Sequence, residues 1–414
     1  MNEPRDVAGI GRGARSLVRA GVLAAVAALA LSACGGNASG GSTPPATKSG
    51  DNVPPVSDVG PRSFASAGPF TVGVTTLALP GDKAPVEVWY PAATKPVAGA
   101  QTASYNVEDY LPPALQKLFP PGFQGGVYDT DAYRDVAIAS GRFPLVEFTH
   151  GYAGFRTQST FLTTHLASWG FVVAAPDLLD NDLTAVLSGK QAEGSGADIA
   201  EAADTITLMG QQNQAPSGRF SGHLDMSRVA AIGHSLGGAV SEGVAASDPA
   251  VTTFIGMAGA TVGSFGQAST GPGSAVPDKP GMLMVGTADG VADPAGIARA
   301  YTAMKQPKRF VTLQNFGHLV FADICRIGAD RGGLAGLAAG AGLSLPGNLK
   351  KLATDGCDAP DTPVTQGWPV IRQAVVAQLR HVFGFDPTEA ALTGLGSAYP
   401  AIVAVDTDGA SASS

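Results

Sequence analysis

Short apolar runs rich in β-branched residues recur through the middle of the chain and predict about eight strands. They cover residues 70–79, 86–90, 144–148, 171–175, 229–232, 253–258, 282–285 and 310–313. The first two flank a Pro-Gly-Asp turn, which predicts a hairpin. The later runs are continuous rather than alternating, as expected for strands that are covered on both faces of a sheet.

Segments with a helical period separate most of these runs. They cover residues 160–169, 198–211, 236–246 and 295–305, and a further amphipathic segment covers 368–383. Strands that alternate with helices predict a mostly parallel sheet flanked by helices. We place this single domain at residues 67–386, with insertions at 101–140 and 326–366 that would cover a pocket and set substrate choice.

The two ends of the chain differ in composition from the middle. Residues 1–33 join four arginines to an apolar stretch too short to span a bilayer, which predicts a signal peptide. Residues 34–66 are rich in Gly, Ser, Thr and Pro, which predicts a flexible tether. Residues 387–414 form a C-terminal extension whose polar end we expect to be disordered.

The chain is acidic, which bears on the classes of molecule that it can bind. Its net charge is -8, and removal of residues 1–33 takes away four arginines and two acids, giving -10. This balance argues against nucleic acid as a partner. The sequence holds no zinc-binding H-E-x-x-H and no complete calcium loop, so we expect neither a metal nor an organic cofactor. We expect a monomer.

An apolar run that ends at residue 232 breaks into the sequence GHSLGG at residues 233–238. Its first five residues match G-x-S-x-G, the pattern of a nucleophile elbow. A serine on a sharp turn between a strand and a helix needs neighbours without side chains, because the two segments crowd together there. The pattern nominates Ser235 as a catalytic nucleophile. Leu236 would supply one backbone amide of an oxyanion hole, and His234 would lie beside the substrate.

Three segments resemble a known group of enzymes. Residues 85–91 (PVEVWYP), 141–151 (GRFPLVEFTHG) and 233–238 (GHSLGG) resemble the bacterial platelet-activating-factor acetylhydrolase and dienelactone-hydrolase-like branch of the α/β-hydrolase superfamily, which includes polyester hydrolases. The resemblance covers about residues 70–385. It implies an α/β-hydrolase fold and assigns the second oxyanion amide to Tyr152. The side chains of Tyr152 and Phe155 would wall the acyl pocket.

A second resemblance concerns the export signal. Residues 31–34 (LSAC) resemble the lipobox of bacterial lipoproteins, which implies that Cys34 is acylated and becomes the new N-terminus. The mature protein would then be anchored by lipid to the outside of the bacterial cell membrane. Ordinary secretion, with Cys34 unmodified, is the alternative.

In the α/β-hydrolase fold the acid and the histidine follow the nucleophile along the chain. Two histidines qualify. His381 lies inside the predicted helix 368–383, whereas His318 stands in a loop just past the strand 310–313, where this fold presents its base. We therefore predict His318 as the general base.

The orienting acid is predicted by the same reasoning. Asp289 lies just beyond the strand 282–285, and catalytic side chains collect at the carboxyl ends of such strands. Asp293 remains an alternative, because spacing does not reveal loop geometry. Ser235, His318 and Asp289 would form a triad that reacts through an acyl-enzyme.

These residues predict a carboxylic ester hydrolase that acts on short-chain, lipid or polyester substrates. A serine peptidase or an acyltransferase would use the same triad. A surface lipoprotein that keeps the fold for binding alone is a third possibility. The intact set of three residues in the expected order favours an enzyme.

The sequence contains three cysteines. With Cys34 assigned to lipid, Cys325 and Cys357 remain in a compartment that permits oxidation, and we predict a disulfide between them. Two buried thiols are the alternative.

Overall fold

The computed structural model describes residues 53–81, 83–93, 101–190, 196–261 and 276–407. In this part of the chain eleven strands form one sheet. The strands are β1 (Val72–Ala78), β2 (Pro85–Pro91), β3 (Thr102–Asn106), β4 (Val127–Arg134), β5 (Phe143–Thr149), β6 (Val172–Pro176), β7 (Leu224–His234), β8 (Val251–Met257), β9 (Gly281–Gly286), β10 (Lys308–Leu313) and β11 (Val403–Thr407).

Helices connect most of these strands and flank the sheet. They are α1 (Pro113–Gln116), α2 (Thr160–Ser168), α3 (Leu183–Leu187), α4 (Gly196–Gln214), α5 (Leu236–Ser247), α6 (Pro294–Ala303), α7 (Gly333–Gly340), α8 (Gly347–Thr354), α9 (Val364–Val382) and α10 (Leu395–Ala398). The five helices expected from sequence are all present, as α2, α4, α5, α6 and α9.

The sheet has the strand order β11-β10-β9-β8-β7-β5-β6-β2-β1-β4-β3. The run from β6 through β5 to β10 is parallel throughout. Antiparallel pairs join β2 to β6, β1 to β2, β3 to β4 and β10 to β11. This architecture confirms the predicted mostly parallel sheet flanked by helices, with the β1–β2 hairpin at its start.

Three strands add to the eight expected from sequence. β3 and β4 lie inside the insertion 101–140, and β11 lies in the C-terminal extension. Along β4 every second side chain is exposed or half-exposed, so this strand lacks the continuous apolar run that marks a strand buried on both faces. We expected the polar end to be disordered from residue 405 onward, and this is wrong for residues 405–407, which belong to β11. Residues 408–414 lie outside the described residues.

The predicted tether also ends earlier than residue 66. Phe64 is fully buried, packs edge-to-face on Trp169 with ring centroids 4.9 Å apart, and donates its backbone N–H to the Gln373 side chain. One aromatic anchor therefore holds this segment against α9, although its average composition favours disorder. The predicted signal peptide, the predicted lipid site at Cys34 and the predicted tether up to residue 52 lie outside the described residues.

The core has two layers, one on each face of the sheet. Alternate residues of β5 serve both, because successive side chains of a strand point to opposite faces. Val146 and Phe148 pack in the layer covered by α2 and α9, and Leu145 packs in the layer covered by α4, α5 and α6. None of the helices within the described ranges combines the length and the apolar character needed to cross a bilayer.

One carboxyl group is buried in the middle of this sheet. Glu147 of β5 is fully buried, and one of its oxygens accepts a hydrogen bond from the Thr149 hydroxyl at 2.7 Å. Its other oxygen, Oε2, has no hydrogen-bond partner among the described residues. Burial raises the pKa of Glu147 from its ordinary 4.5 to about 8.

We therefore expect Glu147 to make stability fall as pH rises. Because the folded protein holds this proton more tightly than the unfolded chain, the contribution is complete below pH 4.5 and is lost progressively up to about pH 8. The loss amounts to at most about 1.4 kcal/mol for each pH unit. Urea unfolding at several pH values should show a flatter pH dependence for Glu147→Gln than for the wild type. Parallel curves for the two proteins would contradict this expectation.

The predicted disulfide is present between Cys325 and Cys357. It closes a segment of sequence separation 32 that contains α7 and α8. We call residues 324–357 the cap. The bond joins a 3₁₀ turn at Ile324–Arg326 to the residues that follow α8, so both ends of the cap are held at one place.

We expect no free thiol at positions 325 and 357 when the denatured, unreduced protein is titrated. On the chain-entropy model the bond contributes about 3 to 4 kcal/mol. Because the cap packs against the loop that carries His318, reduction should lower activity before it unfolds the domain. Activity and circular dichroism followed together through a dithiothreitol series test this, and coincident losses would contradict it.

Candidate active site

Ser235 lies at the turn between β7 and α5, as the sequence pattern predicts. Its backbone has φ 57° and ψ -123°, a strained conformation for a residue with a side chain. A Cβ atom on Gly233 would lie 2.0 Å from the Gly237 carbonyl oxygen, and one on Gly237 would lie 2.2 Å from the Thr149 oxygen. Both flanking positions therefore require glycine.

Another glycine supports this turn from the neighbouring strand. A Cβ on Gly259, just after β8, would lie 1.8 Å from the Ser235 carbonyl oxygen. The Ser235 N–H donates to the Met257 carbonyl at 2.8 Å. The sequence analysis missed Gly259, which stands two residues beyond the end of an apolar strand.

His318 and Asp289 are hydrogen-bonded to each other at the ends of β10 and β9. His318 Nδ1 lies 2.9 Å and 3.1 Å from the two carboxylate oxygens, and both residues are buried. An ionised carboxylate only accepts, so Nδ1 carries the proton. His318 Nε2 is buried and has no hydrogen-bond partner in the described part of the chain.

The Asp289 carboxylate is itself held in place. Oδ1 accepts the backbone N–H groups of Val291 and Ala292 at 2.9 Å and 2.8 Å. These bonds orient the carboxylate toward His318 before any substrate binds.

The two alternative residues for the acid and the base, Asp293 and His381, do not contact this pair. Asp293 caps α6, accepting the Ala295 N–H at 3.0 Å, and is paired with Arg299 at the surface. His381 lies in the last turn of α9, where its Nδ1 lies 3.2 Å from the Asp386 carbonyl. The geometry thus joins Asp289, and not Asp293, to His318.

His234 connects the nucleophile turn to the loop of His318. Gln158 donates to His234 Nδ1 at 3.1 Å, and the opposite nitrogen donates to the His318 carbonyl at 3.1 Å. Burial, with the nearby His318, holds the pKa of His234 well below its ordinary value, so the ring is neutral. Gln158 was missed by the sequence analysis, since it stands in no motif.

The loop after β5 lies directly against the nucleophile. A Cβ on Gly151 would lie 3.0 Å from the Ser235 Cβ. Tyr152 follows in this loop, lines the cleft and is 39% exposed. Leu236 is the first residue of α5, where a backbone N–H has no carbonyl partner within the helix. Both predicted oxyanion residues therefore flank Ser235.

A cleft lies over the nucleophile, and its volume is about 990 Å³ when the space at its open mouth is included. Its polar floor is formed by Ser235, His234 and His318. The cap, α3 and the segment around Val107 form its walls. Phe155 does not line this cleft, contrary to the sequence prediction: it is 1% exposed and stacks on Tyr110 at 4.5 Å. Its ring is part of the core because the loop turns inward after Gly154.

The sequence analysis missed a further contact between the cap and the site. Asp355, at the end of α8, accepts the backbone N–H of His318 at 2.6 Å and that of Gly290 at 3.3 Å. Its carbonyl accepts the Leu319 N–H at 3.0 Å. A carboxylate in a long insertion carries no sequence signal for such a contact. No cluster of metal-binding side chains occurs in the residues that the structure describes.

The strand order, the nucleophile turn and the His318–Asp289 pair define an α/β-hydrolase fold with a serine, a histidine and an aspartate in one site. The model of the PET hydrolase-like family (PETase) matches residues 117–329, about half of the chain, and includes all three of these residues. The chain belongs to this family.

Two further comparisons found similar proteins. The chain is 28% identical over 167 residues to bis(hydroxyethyl) terephthalate hydrolase of Streptomyces coelicolor, a match that covers 40% of this chain and 46% of that protein. The chain thus matches about half the length of this curated relative. The solved structure of ferulic acid esterase from Streptomyces cinnamoneus has a TM-score of 0.52 at 20% identity, covering 78% of this chain and 93% of that one. This likeness supports the fold.

Proposed function

We propose that the protein is a carboxylic ester hydrolase with Ser235 as nucleophile, His318 as general base and Asp289 as orienting acid. The observation that carries the proposal is the buried hydrogen bond from His318 to Asp289. The opposite ring nitrogen has no hydrogen-bond partner among the described residues and lies in the same cleft as the strained Ser235. Family membership and the ester hydrolases among similar proteins support it.

The reaction follows from what each group can do. His318 Nε2 takes the proton of Ser235 as Oγ bonds to the ester carbonyl carbon, and Asp289 stabilises the resulting imidazolium. The imidazolium then gives its proton to the departing alkoxide, leaving an acyl-serine. Water attacks this acyl-enzyme through the same base, which releases the acid and restores the serine.

The developing oxyanion needs preorganised donors. We assign the backbone amides of Leu236 and Tyr152 to this role, because they flank Ser235 from two sides. Loss of one such donor typically costs about 2.7 to 4 kcal/mol of transition-state stabilisation.

The direct test is hydrolysis of p-nitrophenyl acetate together with covalent labelling by a fluorophosphonate probe. We expect turnover and labelling of the purified wild type, and neither for Ser235→Ala. Bis(hydroxyethyl) terephthalate, methyl ferulate and a polyester film extend the panel to the substrates that the similar proteins suggest. A folded protein that neither turns over an ester nor takes the label would overturn the proposal and favour a binding role. Peptide cleavage or acyl transfer in preference to ester hydrolysis would assign the triad to the alternative reactions.

We also propose that the mature protein is exported and attached to the cell membrane through lipid on Cys34, as the bacterial lipoprotein signal suggests. Cys34→Ala should shift the protein from the membrane fraction to the soluble fraction. An unchanged distribution would contradict the lipid anchor.

A further inference from the structure

The wall of the cleft above Ser235 is aliphatic. Among the described residues that line it, ten are leucines, and Phe119 and Tyr152 alone carry a benzene ring. None of the described lining residues is a lysine, an arginine or a carboxylic acid. Among the described lining residues the polar side chains are those of Gln158, Tyr152 and the three residues of the floor.

One side of helix α8, in the cap, contributes to this wall. Leu349 and Leu352 line the cleft and remain only half-buried, whereas Lys350 is exposed and the Lys351 ammonium donates to the Gly290 carbonyl. Two leucines that point inward without being fully covered leave apolar surface for a ligand to bury. The disulfide holds the end of this helix near the site.

We infer that the cleft binds an unbranched aliphatic chain of the ester, an inference that rests on the proposed function. Leucine side chains offer apolar contact without fixed direction, which suits a flexible chain. Rings are favoured by stacked or edge-on aromatic partners, which are scarce in this wall. Each additional methylene that reaches the leucines should raise kcat/KM by about fourfold until the wall ends.

The test is a series of p-nitrophenyl esters from acetate to decanoate, all kept below their micelle concentrations, with p-nitrophenyl benzoate as the aromatic comparison. The readout is the ratio of kcat/KM for octanoate to that for acetate. We expect this ratio to be large in the wild type and to fall by about tenfold in Leu349→Trp, which fills the cleft. Lys350→Trp is the matched control, since it adds the same ring on the outer face, and its ratio should equal that of the wild type.

The outcomes separate this inference from the proposed function. Turnover of acetate with a flat or falling ratio, or a preference for benzoate, overturns the aliphatic site and leaves ester hydrolysis standing. Equal ratios in Leu349→Trp and the wild type also overturn it. If no ester in the series is hydrolysed, the proposed function itself fails.

A second inference stands on different contacts. Asp355 Oδ1 accepts the N–H of His318, from the loop after β10, and that of Gly290, from the loop after β9. One carboxylate of the cap therefore ties together the two loops that carry the base and its orienting acid. We propose that Asp355 is a positioning residue that keeps His318 and Asp289 in register.

Three variants test this role. Asp355→Ala removes the acceptor and should lower kcat by about tenfold to a hundredfold with little change in KM, because small misplacements of catalytic groups are costly. Asp355→Asn keeps an acceptor oxygen and should restore kcat to within about threefold of the wild type. Asp358→Ala removes an exposed carboxylate from the same segment and should leave kcat unchanged.

Rates are normalised to the concentration of sites labelled by fluorophosphonate, which excludes unfolded protein from the comparison. Normal kcat in Asp355→Ala, or an equal loss in Asp355→Asn, overturns the positioning role. If the wild type and all three variants fail to take the fluorophosphonate label, the proposed function itself is contradicted.

Discussion

Ser235→Ala should abolish ester hydrolysis, with a loss of several orders of magnitude in kcat/KM. The substitution removes only Oγ, whose part in the proposed reaction is to form the acyl-enzyme. The melting temperature should stay within a few degrees of the wild type or rise slightly. The measurement is p-nitrophenyl acetate hydrolysis by purified protein, with thermal unfolding recorded on the same samples.

Ser247→Ala provides the matched control. Ser247 ends the same helix, and its hydroxyl donates to the Gly243 carbonyl at 2.9 Å, away from the cleft. Its activity should equal that of the wild type. A Ser235→Ala protein that kept about a tenth of the wild-type turnover would show that another group is the nucleophile.

Replacement of Asp289 by asparagine should lower the rate of acylation by about four orders of magnitude. Its oxygen can still accept the N–H groups of Val291 and Ala292, which turns the amide NH₂ toward His318. Nδ1 must then accept rather than donate, so the proton moves to Nε2. A ring protonated at Nε2 cannot take the proton of Ser235.

Asp293→Asn is the comparison, because asparagine is an equally good helix cap and the surface pair with Arg299 contributes little. It should retain most of the wild-type rate. Pre-steady-state release of p-nitrophenol measures acylation in both variants. A larger loss in Asp293→Asn than in Asp289→Asn would move the acid to the alternative position.

The central fold was predictable because burial on both faces leaves a clear signal. β5 through β10 are apolar runs bounded by glycine, proline or polar residues, and the helices between them show their period. The strands at the two edges of the sheet were not predictable from apolar runs. β3 and β4 alternate between buried and exposed positions, and β11 depends on a partner far away in the sequence.

The residues of the active site likewise fall into those that the sequence predicts and those that it does not. Ser235 follows β7 directly, and Asp289 and His318 stand in the loops just past β9 and β10. Chain order and strand ends were therefore enough to select them. Gln158 and Asp355 reach the site from segments without a motif, and their contacts arise only when distant loops pack together. Phe155 was placed in the pocket because it stands close to Tyr152 in sequence, yet the chain turns it into the core.

The position of β11 bears on how the protein behaves in concentrated solution. Its pairing with β10 covers the outer edge of the parallel run, and the Gln314 N–H continues the contact by donating to the Ile402 carbonyl at 2.6 Å. An uncovered strand edge is a template on which another copy of the chain can add its own strand. A protein cut before residue 403 would present the six residues of β10 in this way. Self-association into sheets would then begin beside the loop that carries His318.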